Sequence, residues 1–242
     1  MLLENKNAVV YGAGGKVGGV VARAFARERA RAFLAGRTRE PLEAVAASIA
    51  GAGGSAVVVE VDALDERAVE EHADAVVEEG GCIDVPFNAV WMRGDLQGTP
   101  LIDIAPEDFV LPVMTGATMH FLTARAAARR MVERGAGVIL TLSTSAAALS
   151  GRDRKLHRTG GFGVLCAAIE VLTKQLAAEL GPRGVRVVCL RPDALPETWP
   201  DGLEAGASDT DEGEGTTGDD DARWVLAYME GGSLPGRLPT LT

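Results

Sequence analysis

The feature that most narrows the fold is a rhythm beginning at residue 7: a short β-branched run, a small-residue turn, then a stretch of helical periodicity, repeated along the chain. Strands are predicted at AVVY (8–11), RAFLA (31–35), AVVVE (56–60), IDVPF (83–87), GVILTL (137–142) and VRVVCL (185–190). Six strands alternating with amphipathic helices predict an α/β fold, a three-layer, doubly wound parallel sheet covered on both faces.

Two of the predicted helices, 106–133 and 161–180, are long and rich in small residues, with apolar side chains on more than one face. Such helices are buried, under the sheet or in a subunit contact, so they are the candidate surface of a homodimer. At 242 residues and 47% hydrophobic composition, one core suffices, and a single domain is expected over 1–200. Segment 201–221 carries nine acidic residues, no basic ones and no apolar periodicity. It cannot bury enough surface to offset its ordering entropy and is expected to be a disordered loop. Residues 222–242 are read as a short helix and tail of the same domain, with the helix and edge strand that usually complete such a sheet missing.

The net charge of −10 is concentrated in that acidic segment, leaving the body close to neutral. Without a basic stripe or interleaved aromatics there is no footing for nucleic acid. No apolar run approaches the roughly 20 residues of a membrane span. Cys82, Cys166 and Cys189 lie far apart without CxxC spacing, and the start of the chain is charged, so a reducing cytoplasm is expected. No His, Cys or Asp cluster has metal-ligand spacing.

After the first strand comes YGAGGKVGG, a glycine-dense turn opening a helix. There Gly12, Gly14, Gly15, Lys16, Val17 and Gly18 let backbone amides approach a pyrophosphate at the positive end of the helix dipole, the Rossmann-type arrangement. The second strand ends at Gly36-Arg37 where an NAD site would carry a carboxylate for the ribose hydroxyls. A guanidinium suits a 2′-phosphate, so NADP is the expected cofactor and NAD the less favoured one.

Across residues 5–198 the chain resembles the short-chain dehydrogenase/reductase family. The family's Thr-Gly-x3-Gly-x-Gly signature falls on Tyr11, Gly12, Lys16 and Gly18, with lysine in place of the middle glycine; Lys16 either reaches a phosphate or crowds the turn. The resemblance implies adenine contacts at Asp62 and neighbouring Ala63, matches Asn88 to the first Asn of the Asn-Asn-Ala-Gly motif, and assigns Thr198 to the carboxamide.

The family's catalytic residues are less well kept. Its Tyr falls on Phe162, its Lys on Cys166 and its Asn on Val113, while its Ser falls on Thr144, with Ser143 adjacent. A benzyl group has no acidic hydrogen and a thiol is no cation, so neither replaces the Tyr-x-x-x-Lys pair. Tyr11 and Tyr228 are the only tyrosines and neither has Lys four residues on, so no shifted copy exists. Only the hydroxyls of Thr144 and Ser143 remain as catalytic candidates. The resemblance therefore implies an oxidoreductase that acts on an unidentified small molecule and is weak or inactive in ketone/alcohol hydride transfer. The alternatives are a divergent reductase, dehydratase or cyclase with another proton donor, and a non-catalytic NADP-binding partner protein.

Further departures are Arg29, where a left-handed glycine is usual, Pro86 inside a central strand, and Pro192-Asp193 for Pro-Gly. The basic loop at 152–158 and the acidic segment 201–221 are expected to associate loosely over the pocket rim. His72 and His120 read as surface or packing groups, and His157 lies in the basic loop without an orienting partner. Cys166, in an alanine-rich helix, reads as an inert core thiol.

Overall fold

The computed structural model describes residues 1–90, 97–144, 147 and 158–192. Its strands are β1 (Asn7–Tyr11), β2 (Arg31–Gly36), β3 (Ser55–Glu60), β4 (Val85–Asn88), β5 (Gly137–Leu142) and β6 (Val185–Leu190). They form one sheet in the order β3-β2-β1-β4-β5-β6, with every neighbouring pair parallel. The helices are α1 (Lys16–Arg27), α2 (Arg39–Gly51), α3 (Glu66–Gly80), α4 (Pro106–Arg134) and α5 (Gly160–Leu180).

Successive strand residues face opposite sides of a sheet, which splits β1 between two cores. Ala8 and Val10 join Val21, Phe25, Leu42 and Ile49 of α1 and α2. Val9 and Tyr11 join Val69, Val76, Met119 and Met131 of α3 and α4 on the other face. Both long helices lie where the periodicity places them.

Strand β4 begins at Val85, two residues later than the sequence pattern implies. The reason is Asp84, a buried anchor that precedes the ladder. Its carboxylate accepts the Asn7 amide at 2.9 Å, Arg134 at 2.7 Å and the Lys6 ammonium at 3.3 Å. Burial works against its charge, but these donors hold the carboxyl below the ordinary carboxylate range.

Pro86 does interrupt the sheet. Val138 donates to the Asp84 carbonyl at 2.9 Å, but Pro86 has no N–H to complete the bridge. Phe87 and Leu140 form the single registered pair between β4 and β5, against six between β5 and β6. Arg29 also behaves as its position implies, with φ +71° at the turn from α1 into β2. A side chain in that conformation costs about 1 kcal/mol relative to glycine.

Helix α5 departs from one expectation. Among the described residues, Gly160–Arg183 is long enough, with an 18-residue window of mean hydropathy 1.4, to pass for a membrane span, and 33% of that window is buried. Glu170 and Lys174 break the run when it is read residue by residue, yet the average over the helix stays high. Val164 and Val171 of α5 are exposed, as are Val110, Met114 and Phe121 of α4.

Candidate functional site

In this strand order the chain reverses its direction of travel across the sheet between β1 and β4, so the crevice opens at the carboxyl ends of these strands. The residues that come to that edge are Tyr11 ending β1 and Gly12 after it, Asn88 ending β4, Ser143 and Thr144 after β5, and Arg191 after β6.

Gly12 has φ +76°, and a Cβ there would lie 2.7 Å from the Ala89 carbonyl oxygen and 2.8 Å from the Val90 Cα. Only glycine fits. Its amide donates to the Ala35 carbonyl at 2.8 Å, and its own carbonyl accepts from Gly15 at 3.0 Å, which folds the turn back on itself. A Cβ on Gly18 would come within 2.2 Å of the Gly12 oxygen, so α1 presses directly on the turn. Gly15 is the N-cap of α1, with no side-chain cap and no acidic residue in the first turn. Those N-terminal amides and the dipole suit an anion. Gly14 faces Pro41, Lys16 is exposed at the first position of α1, and Val17 packs on the core below.

Arg37 follows β2 and is exposed at this edge. The next basic residue, Arg39, is held by Glu43 at 3.3 Å and Glu60 at 3.4 Å. Asp62 shapes its own turn, one carboxylate oxygen accepting the Leu64 amide at 3.0 Å, while Ala63 beside it is buried. Asn88 is buried and fully engaged: its carbonyl accepts the Val90 amide at 2.9 Å and its amide donates to the Thr123 hydroxyl at 3.0 Å. It therefore fixes the segment against which Gly12 packs.

Tyr11, at the family's Thr position, is buried with its hydroxyl 3.2 Å from His72 Nδ1, the rings meeting edge to face at 5.4 Å. Burial raises the tyrosine's pKa and lowers that of His72 to about 4. Both His72 and His120 are packing groups, with His120 likewise lowered by burial to about 4. The sequence did carry a signal: His72 shares the spacing of buried Val69, Ala73 and Val76 on α3.

At the other end of the edge, Cys166 is completely buried, its sulfur 3.5 Å from the Thr144 hydroxyl. Burial pushes the thiol pKa up, so it is a neutral core group. Phe162 is half-buried in the first turn of α5, and Val113 half-buried on α4. Ser143 is buried and donates to Glu170 at 3.1 Å; Arg191 stands 3.5 Å from the same carboxylate. That Ser143-Glu170-Arg191 cluster was not foreseen, because its members are far apart in the chain and match no motif. It leaves Thr144 as the half-buried hydroxyl of the pair.

Arg158 exchanges backbone contact with Gly98, whose amide donates to its carbonyl at 2.8 Å. The remainder of the basic loop, 152–157, together with Thr198, the acidic segment 201–221 and the tail 222–242, lies outside the described residues. Among the described residues no cluster of three or more His, Cys, Asp or Glu gathers as for a metal.

Residues 12–213 match the family model described as enoyl-(acyl carrier protein) reductase. A D-threitol dehydrogenase of Mycolicibacterium smegmatis is 32% identical over 193 residues, 80% of this chain and 71% of that protein. A short-chain type dehydrogenase/reductase from Mycobacterium marinum has a crystal structure matching at TM-score 0.71 and 32% identity, over 78% of this chain and 75% of that one. A metagenomic short-chain oxidoreductase solved in complex with NADP matches at TM-score 0.69 and 26% identity, over 80% and 85%. With a Rossmann-type sheet, a glycine turn of this geometry and relatives of this kind, the chain belongs to the short-chain dehydrogenase/reductase family.

Proposed function

We propose that this member of the family binds NADP and is weak or inactive in the ketone/alcohol hydride transfer of its relatives. The observation that carries the binding is the turn at Gly12 and Gly18, where any Cβ would collide with backbone while the uncapped start of α1 stays open to an anion. Gly12, Gly14, Gly15, Lys16, Val17 and Gly18 would hold the pyrophosphate, Asp62 and Ala63 the adenine, and Asn88 the floor of the site. Arg37 favours the 2′-phosphate of NADP over the bare hydroxyl of NAD. Structural relatives are solved with either cofactor, one with NADP and a xylitol dehydrogenase with NAD+, so the choice rests on Arg37.

When bound, the nicotinamide supplies hydride. What this chain's own residues supply is a hydroxyl at Thr144 and, at the two positions where proton delivery is organised in the family, a benzyl ring and a buried neutral thiol. A positioned general acid contributes roughly 10²–10⁴ in rate. Without it and its cation, turnover of a simple alcohol is expected near background, on a small-molecule substrate that the described residues do not specify.

Calorimetric titration with NADPH and NADH tests the first claim: saturable uptake with NADPH the tighter is the expected result, and no uptake of either at millimolar concentration refutes it. Absorbance at the nicotinamide band during incubation with simple alcohols tests the second. Robust steady-state turnover there would return the chain to the active reductases.

A cytoplasmic homodimer through α4 and α5 completes the reading. Its support is the apolar surface of Val110, Met114, Phe121, Val164 and Val171, which a second copy would cover. The same surface favours the second reading, a partner protein whose association responds to cofactor without turnover. Sedimentation with and without NADPH separates the two.

A further inference from the structure

The end of the sheet where the adenosine ribose belongs carries more charge than Arg37 alone. Strands β2 and β3 finish level with each other, Gly36 opposite Glu60, and the Val61 amide donates to the Gly36 carbonyl at 2.9 Å. Neighbouring strands lie about 4.8 Å apart, so Glu60 starts one strand away from the position at which an NAD site would carry its acid. Gly36 itself is closed over by α2, because a Cβ there would meet the Leu42 side chain at 3.4 Å. The carboxylate missing from β2 is thus matched by one at the same level of β3.

Glu60 is engaged by the first residue of α2. Its Oε2 lies 3.4 Å from Arg39 Nε, and Glu43 Oε1 lies 3.3 Å from Arg39 Nη1. Arg39 follows Thr38, an N-cap whose side chain makes no capping bond, and Glu40 adds a further acid in the same turn. Arg39, Glu43 and Glu60 are all exposed, so their charges are open to a ligand. Arg37 and Arg39 are therefore offset by Glu43 and Glu60, with Glu40 besides, and a 2′-phosphate meets no net positive charge from these residues. Arg39 can serve the phosphate only by releasing a carboxylate.

We infer that Glu60 is a specificity-determining residue of the dinucleotide site: it holds Arg39 away from the 2′-phosphate, so NADPH is preferred to NADH by a narrower margin than two arginines would give. The inference rests on the NADP reading above and names the residue that limits it. Glu60, not Glu43, is decisive because it comes from the neighbouring strand, level with Gly36. Without its charge Arg39 keeps only Glu43, one turn along the same helix, and exposed pairs of that kind hold weakly. A doubly charged phosphate then displaces the carboxylate and gains a second, charge-assisted donor.

The test is calorimetric titration of the full wild-type chain and of Glu60→Gln with NADPH and with NADH. The expected result is NADPH bound about three- to tenfold tighter by the variant, on the order of one partly screened charge beside a dianion, with NADH almost unchanged. The gain should shrink toward nothing at about 1 M salt, where the screening length falls to about 3 Å, and should disappear when Arg39→Ala is added. NADPH bound equally or more weakly by Glu60→Gln, or a gain that survives the salt or the loss of Arg39, overturns the inference. Glu60→Ala, read in the same way, decides if the glutamine variant does not fold. A wild-type chain that takes up neither cofactor refutes the NADP reading and this inference together, whereas wild-type uptake without a gain in the variant refutes the role of Glu60 alone.

Discussion

Around Gly12 the site is made by backbone, whereas around Thr144 it is made by side chains. The glycine turn holds its shape because a Cβ at Gly12 or Gly18 would strike the main chain, so packing and ligand binding enforce the same residues. At α5 the two demands separate. Cys166 fills its place in the core and Phe162 sits half-buried in the first turn of the helix, and nothing in the fold requires a phenol or an ammonium there. The lesson is that a binding surface built into the framework is held in place by the framework, whereas the identity of individual side chains that could carry chemistry is not.

The largest expected effect comes from placing the family's tyrosine and lysine at these two positions. Phe162→Tyr combined with Cys166→Lys should raise alcohol oxidation by roughly 10²–10⁴, measured as nicotinamide absorbance, with either single change gaining little. No gain from the double variant would show that the pocket differs beyond these two positions and break the comparison.

The next is a pH effect confined to the nucleotide side. His72 and His120, both lowered by burial to about 4, take up protons on unfolding between there and the ordinary histidine value near 6.5. A depressed folded-state pKa means their stabilising neutral form holds above about pH 6.5 and that stability falls as pH drops toward 4. Urea melts should lose roughly 2 kcal/mol per histidine from pH 7.5 to 5, and His72→Gln should remove its share of the slope. A flat profile would mean these histidines are accessible to protons while folded.

Arg37→Ala should weaken NADPH by roughly tenfold, the worth of one charge-assisted bond, and leave NADH almost unchanged. Equal losses for both cofactors would sever the arginine from the 2′-phosphate. The smallest effect sharpens the framework side alone: Arg29→Gly should stabilise the chain by about 1 kcal/mol, read from the denaturant midpoint, without touching affinity.

The fold was legible because a buried parallel sheet writes itself as β-branched runs, and five of the six strands lie within one residue of their sequence reading. The exception, β4, starts late because Asp84 is a long-range anchor whose partners Asn7 and Arg134 cannot be read locally. The glycine turn was legible too, its spacing being local. Ser143, Glu170 and Arg191 were not, since tertiary packing alone brings them together. The exposed apolar residues of α4 and α5 were half legible: helices apolar on several faces were evident, but not which face remains uncovered.

Pro86 gives the comparison a mechanical basis. With a single registered pair across it, the boundary between β4 and β5 transmits little through the main chain from one sub-sheet to the other. Amide exchange should therefore be faster along that boundary than at the flanking ladders.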